Sequence, residues 1–537
     1  MSFLEQKKTK RLFAIHGWSG LALGLLLYTL VLTGAIAVFA REIGVWSVGG
    51  AANQKGLTQP VDRTIRGLAE TVDAKYRDDV GIFIVPDGTL SVFFHTHEKK
   101  LDGELGEKGV RFLVAPESGK VVSRIEGWSD DVFGKDQKSA LQRFLVDLHV
   151  QLYVPAPWGL ILTGFLGLAM MVAAVSGLIM HRHLLKDIFV APRPGNILLH
   201  ARDRHILAGS WGLPFAFLLA FSGSMLSFAF SFGVPLMALS AYGGDQERVG
   251  EILSGAPATE DKRPAVVTNL DAVLADGQRR AGSDPTFLEV EHWGRADASI
   301  GVWFLPPEGD LGWIQYGYHG VNGAFEGEKP GLGTRPSLGN TAYMVLAALH
   351  FGVFAGIVSK VIWLSLGLAS CYVILTGMEM WFTRRAADPA WAPWARIVPM
   401  IGYGLPLAML VSALSYFQAV GHADTTTSTP AGFFLASLAI VCVTIAVPDR
   451  TKLSRGLMLC NAIAAGLLPV ARMLAGGRSW GGALAMGEPV IVSIDLLLII
   501  AASALVWLWL GAPLPRWLRT RNLHRERPDR EQPEPAE

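Results

Sequence analysis

The sequence predicts an α-helical polytopic membrane protein of about eight spanning helices, with two small α+β domains inserted between spans and an internal duplication of the helix–domain–helix unit. Three observations predict it: the composition, the spacing of long apolar stretches, and a repeat marked by histidines. Apolar residues make up 51% of the 537 positions and charged residues only 17%, well away from a soluble average. A bilayer core needs about 20 mostly apolar residues per helix. Such stretches run near 13–40, 156–180, 206–236, 352–382, 398–420, 431–448, 456–474 and 490–511. Between them lie two polar segments of about 100 residues, each long enough for a small domain with its own core.

The net charge of +1 hides a segregation. Basic residues crowd Lys7–Arg11, His181–Arg204, Arg384–Arg396, Asp449–Arg455 and Arg516–Arg530, which places all five on the cytoplasmic side of a bacterial inner membrane. Both termini are then cytoplasmic and the two polar segments lie outside. The first apolar stretch is too long for a signal-peptide core and is expected to stay as an anchor. Cys371, Cys442 and Cys460 all fall in predicted spans at no metal-ligand spacing, so they read as packing residues.

In chain order, 1–41 is a cytoplasmic segment with the first span and 42–147 the first outside domain. Residues 148–240 hold the second span, a cytoplasmic loop and the third span; 241–341 form the second outside domain and 342–385 the fourth span. A four-helix extension covers 386–515, and 516–537, rich in Arg, Pro and Glu, is a disordered tail. Each outside domain reads as a helix followed by strands. Residues 61–77 precede strand-like Val80–Val85, Leu90–His95 and Val110–Val114, with a turn at Pro116–Gly119. Thr268–Gly282 precedes Phe287–His292, Ile300–Leu305 and Trp313–Gly317, with a turn at Val321–Gly323.

The repeat is carried by histidines. His16 stands eighteen residues before Gly34 in Thr33-Gly34, and His205 eighteen before Gly223 in Ser222-Gly223. His149 precedes the second span, which reaches Ser176-Gly177, and His350 precedes the fourth, which reaches Thr376-Gly377. Looking for such self-similarity early guards against misreading the fold, and a parallel repeat implies a pseudo-twofold along the membrane normal. His16 and His205 then share a depth near the inner face, His149 and His350 a depth near the outer face. One interfacial histidine is most simply a cap or a head-group contact. Two pairs set by a duplication fit the axial imidazoles of two stacked haems. His181, at the inner end of the second span, could replace or support His16 or His205, and His200 reads as a loop residue. Gly20, Gly24, Gly34, Gly164, Gly167, Gly209, Gly212 and Gly223 suit a macrocycle approaching backbone and equally suit plain helix packing.

The run Ser176-Gly-Leu-Ile-Met-His181-Arg, Asp203-Arg-His205-xxx-Gly209-x-Trp211, Pro214-Phe215, Ser222-Gly223, Leu349-His350-Phe-Gly, Lys360 and Thr376-Gly377 resembles the PepSY-associated transmembrane proteins over about residues 8–386. The resemblance implies two periplasmic PepSY-like modules and, for the iron-regulated members, two b-type haems and reduction of ferric siderophores. The four extra helices depart from that pattern.

Neither a dinucleotide fingerprint nor a P-loop appears, so electrons must come from elsewhere. The expectation is of electrons from an unknown cytoplasmic or quinol donor crossing by way of His16/His205 and His149/His350 to a ferric siderophore outside; nucleic acid is not an expected partner, membrane lipid is. One-electron reduction releases iron because hard oxygen ligands hold iron(III) far better than iron(II). Trp128, Trp293, Trp303, Trp313, Tyr316 and Tyr318 could offer a surface to a bulky chelate, although core packing explains most of them. His95 and His97 put two imidazoles on one strand face but lack a third ligand nearby in sequence. Lys360 could meet a haem propionate or snorkel, and Asp495 could pair with Arg472. The competing reading is a non-redox transporter of iron compounds or an envelope regulator, and it predicts no bound haem.

Overall fold

The computed structural model describes residues 6–48, 60–100, 105–115, 118–180, 197–245, 248–250, 260–305, 313–333 and 335–511, with single positions at 57, 192 and 253. Among the described residues, seven helices are long and apolar enough to cross a membrane, or up to eight if a bent pair counts as one span. The bent pair is α1 (Gln6–Ala22) and α2 (Gly24–Ala37), which break at Leu23 through 66°. α3 (Ala40–Ser47) then leads to the first polar segment.

That segment holds α4 (Asp62–Ala69), strands β1 (Asp79–Ile84), β2 (Leu90–Lys99), β3 (Leu105–Ala115) and β4 (Lys120–Trp128), and the short helices α5 (Ser129–Gly134) and α6 (Ala140–Val150). Two spans follow, α7 (Trp158–Met180) and α8 (Ile197–Phe228), the latter continued by a π-helical turn, Ala229–Gly233, into α9 (Val234–Ala241). Pro214 inside α8 is tolerated where neighbouring helices satisfy the freed backbone groups. The second polar segment holds α10 (Leu270–Ala281) and strands β5 (Pro285–Glu291), β6 (Ser299–Phe304), β7 (Ile314–His319) and β8 (Phe325–Lys329).

The two segments, read in the sequence as separate units, join in one eight-stranded antiparallel sheet of order β4-β3-β2-β1-β5-β6-β7-β8. The junction is β1 against β5, with Ile82 opposite Leu288 and Val80 opposite Val290. These four side chains are fully buried, so the seam carries the same apolar core that each half would otherwise have to close by itself. α4 and α10 cover that face, through Ile65, Leu68, Leu270, Val273 and Leu274. Their N-termini cap each other: Asp62 accepts from the Leu270 N–H at 3.0 Å, and Asp271 accepts from the Val61 and Asp62 N–H groups at 2.6 and 3.1 Å. A carboxylate at a helix start satisfies otherwise orphaned amides and complements the helix dipole.

After the sheet come α11 (Leu338–Phe351) and α12 (Gly356–Thr383), separated by the left-handed Gly352 (φ +66°), where the Trp363 ring leaves a side chain little room. α1 with α2, α7, α8 and α12 close into a ring, each packed on the next. The last four spans, α13 (Ile397–Ala419), α14 (Thr425–Ala446), α15 (Arg450–Leu474) and α17 (Pro489–Leu510), with the short α16 (Trp480–Ala485) between the last two, stand outside the ring against α2, α3, α6 and α12. Phe144 of α6 meets Phe433 of α14 at 5.4 Å, and Tyr28 of α2 donates to the Gly402 carbonyl at 3.2 Å. The extension thus braces α6 from behind.

Candidate haem-ligating site

Each of the four predicted histidines is held by another helix through the same device. The His16 Nδ1 lies 3.1 Å from the Ala173 carbonyl and 3.1 Å from the Ser176 hydroxyl on α7. The His205 Nδ1 lies 3.0 Å from the Val373 carbonyl and 3.1 Å from the Thr376 hydroxyl on α12. The His149 Nδ1 lies 3.1 Å from the Leu30 carbonyl and 3.5 Å from the Thr33 hydroxyl on α2. The His350 Nδ1 lies 2.9 Å from the Ser222 hydroxyl on α8. In every case the next residue is glycine, and a Cβ there would come within 2.7 Å (Gly34), 3.0 Å (Gly223), 3.2 Å (Gly377) or 3.4 Å (Gly177) of the imidazole Cε1.

The acceptors decide the tautomer. A carbonyl has no proton to give, so Nδ1 carries it in His16, His149 and His205. The Ser222 hydroxyl already donates to the Leu218 carbonyl at 2.7 Å, which leaves it to accept from His350. Nε2 is then the bare lone pair on all four rings, and none of these atoms has a hydrogen-bond partner among the described residues. This is how a metal-binding histidine is prepared: the far nitrogen donates to an oxygen, fixing ring orientation and raising ligand basicity.

The rings meet in two pairs. His16 and His205 have centroids 6.4 Å apart, His149 and His350 6.3 Å. With metal–nitrogen bonds of about 2.0–2.1 Å and centroids about 1.1 Å behind the ligating nitrogen, two imidazoles across one metal ion stand about 6.3 Å apart. The donor set therefore fits a bis-imidazole iron at each pair. Ser222 stands seventeen residues beyond His205 on the continuous α8, so the pairs are separated by about 26 Å along the bundle at 1.5 Å per residue. The sheet joins the chain through α6 and α11, which carry His149 and His350, so this pair occupies the sheet end.

The structure corrects several details. Of the glycines that suited either a macrocycle or plain helix packing, Gly34 and Gly223 receive histidine rings, while Gly24, Gly164 and Gly167 pack against Met378, Phe228 and Ser224. Gly20 and Gly212 meet nothing within 4 Å, and Gly209 has only Val373, at 3.8 Å. His200 lies in the first turn of α8, because the helix starts well before the apolar stretch that predicted it. Lys360 pairs with Glu42 of α3 at 2.5 Å. Tyr318 is buried and donates to Asp276 at 3.1 Å, and Trp293 and Tyr316 pack on the sheet core, whereas Trp313 is exposed. Asp495 and Arg472 do pair, at 2.6 Å and fully buried, with the Trp46 and Trp480 indole N–H groups each donating to the carboxylate at 2.8 Å. His181 lies outside the described residues. Sequence reasoning missed the clamping carbonyls, although the recurring Ser/Thr-Gly pairs were their visible trace.

These features define a multi-pass membrane protein built around two histidine pairs. Residues 13–384 match the family described as the PepSY-associated TM region, and the chain belongs to that family. An uncharacterized protein of Pseudomonas aeruginosa, PA4219, is 26% identical over 391 residues, covering 69% of this chain and 95% of that one.

Proposed function

We propose that this chain is a di-haem b electron-transfer protein of the bacterial inner membrane that delivers electrons to a ferric siderophore on the periplasmic side and so releases its iron. The observation that carries the reading is the pair of pairs: four imidazoles of one tautomer, at the spacing of two bis-histidine irons, at the two ends of one bundle. His16 and His205 would hold one haem, His149 and His350 the other. Haem supplies one-electron redox chemistry when bound; the protein supplies ligands, orientation and a low-dielectric path.

Ala173, Val373, Leu30 and Ser222 hold the proton on Nδ1, which leaves Nε2 as the neutral donor that a haem iron would take. The ring of spans surrounds the path between the pairs, and their separation of about 26 Å is most of a hydrocarbon core about 30 Å thick, so the two sites would lie near its opposite faces. The iron(III) chelate gains one electron, the iron leaves as iron(II), and the chelator is unaltered. The electron comes from a quinol or a cytoplasmic reductant.

A duplication underlies this plan, with two PepSY-like modules fused in the sheet. Each half orients its own ligands: His16 and His149 are clamped by α7 and α2, His205 and His350 by α12 and α8. The orientation with cytoplasmic termini rests on basic residues at the end away from the sheet, where Arg396 donates to the Thr444 carbonyl at the C-terminal end of α14 and Arg450 pairs with Glu379.

The test is the visible spectrum of detergent-purified protein, oxidised and dithionite-reduced, with haem counted per chain in wild type, His149→Ala and His205→Ala. About two b-type haems, fewer in each variant, and reoxidation of the reduced protein by a ferric siderophore under anaerobic conditions are expected. Protein expressed with ample haem that carries none would overturn the reading and leave the transporter or the regulator.

A further inference from the structure

We propose that Asp79, His95 and His97 form a binding site for a first-row divalent transition-metal ion on the face of the sheet turned away from its apolar core. The two histidines lie two apart on β2 and so share a face, while Val92 and Phe94, just before them on the alternate positions, point into the core. The third ligand comes from the neighbouring strand: Asp79 opens β1 directly opposite His95. One ligand atom from each residue lies within 4.8 Å of the other two, so small side-chain rotations bring all three onto one ion.

The surroundings fix the two buried members. The Asp79 Oδ1 accepts from the His292 backbone N–H at 3.0 Å, which leaves Oδ2 for a cation, and this oxygen stands 3.4 Å from the His97 Nδ1. The His95 ring stacks on Phe93 at 4.7 Å with planes 7° apart, and its Nδ1 donates to the Phe93 carbonyl at 3.4 Å, presenting Nε2. His97 is half-exposed and closes the site from the solvent side. Glu107 of β3 lies opposite His97 across the β2–β3 ladder, so the field at the site favours a cation. Two imidazoles and one carboxylate select borderline ions such as Fe²⁺ or Zn²⁺ over the hard Mg²⁺ and Ca²⁺, which prefer all-oxygen sites. The site does not depend on the proposed reduction, although iron(II) is its product.

The experiment uses full-length, tag-free protein in detergent, stripped with a chelator and titrated with Zn²⁺ against a chromophoric competitor, with and without millimolar Mg²⁺, and with Fe²⁺ under anaerobic conditions. One Zn²⁺ per chain, indifferent to Mg²⁺, is expected. His97→Ala and Asp79→Asn each weaken binding by about 10-fold or more, with the visible spectrum unchanged; His97 is exposed enough that its variant keeps the fold. Wild type without Zn²⁺ binding, variants that bind like wild type, or full competition by Mg²⁺ would each overturn the site and leave an ordinary histidine–aspartate pair. Zn²⁺ binding by protein that carries no haem, weakened by His97→Ala and not by His149→Ala, would support the site while removing the proposed function.

Discussion

Replacing the clamp glycines by alanine tests the histidine geometry one ångström at a time. At Gly34 the added Cβ would stand 2.7 Å from the His149 Cε1, well inside an ordinary carbon contact, so the ring must retreat or α2 must shift. Overpacking of this kind costs about 1–3 kcal/mol, and alanine recovers about 1 kcal/mol of helix propensity over glycine. Taking the upper end for the tightest contact leaves a net loss of about 2 kcal/mol, or roughly 30-fold in affinity for a metal centre that needs His149 in place. Gly223→Ala (3.0 Å) and Gly377→Ala (3.2 Å) should follow in that order, and Gly177→Ala (3.4 Å) should be close to neutral. Gly20→Ala is the control, since nothing lies within 4 Å of its Cβ. Haem retention during a competition with apomyoglobin in detergent reads the series. If Gly34→Ala held haem as tightly as wild type while Gly20→Ala lost it, the clamp geometry would be refuted.

Ser222→Ala should disturb its histidine more than Ser176→Ala, because among the described residues His350 has only that hydroxyl as acceptor, whereas His16 keeps the Ala173 carbonyl. A drop of about 10-fold or more in haem affinity for the first, and little change for the second, is the expected outcome of the same competition assay. Asp495→Ala leaves Arg472 buried without its partner and should destabilise the detergent-solubilised protein by about 3–5 kcal/mol. Thermal unfolding of the variant should recover with Arg472→Met added; no recovery would mean that the tryptophan contacts of Asp495, rather than the charge pair, hold the extension.

The spans were legible because hydropathy is a local property, and the histidine pairs because the same His and Ser/Thr-Gly landmarks recur at matching spacings. The strand signals at Val80–Val85 and Phe287–His292 located β1 and β5 to within a few residues. Their pairing to each other was not legible: the partners lie some 200 residues apart, and an apolar strand edge does not name its neighbour. The same reason hid Asp79, which joins His95 and His97 only across the β1–β2 ladder, and Glu42, which reaches Lys360 from another helix. The clamping oxygens of Ala173, Val373 and Leu30 belong to the backbone, where residue identity carries no information. Arg472 and Asp495 could be guessed as partners since a buried charge in a membrane span needs one.

The two histidine pairs differ in one respect that bears on how they can be observed. The ring planes of His16 and His205 are crossed at 81°, those of His149 and His350 only 21° apart. An imidazole ligand donates π density mainly into the one metal d orbital that stands perpendicular to its plane. Nearly parallel rings act on the same orbital and split the d pair; crossed rings act on both and leave them close in energy. Low-spin iron at the two positions would therefore give separate electron paramagnetic resonance lines, the more anisotropic from the crossed pair, so that the oxidation state at each end of the bundle can be followed independently within one molecule.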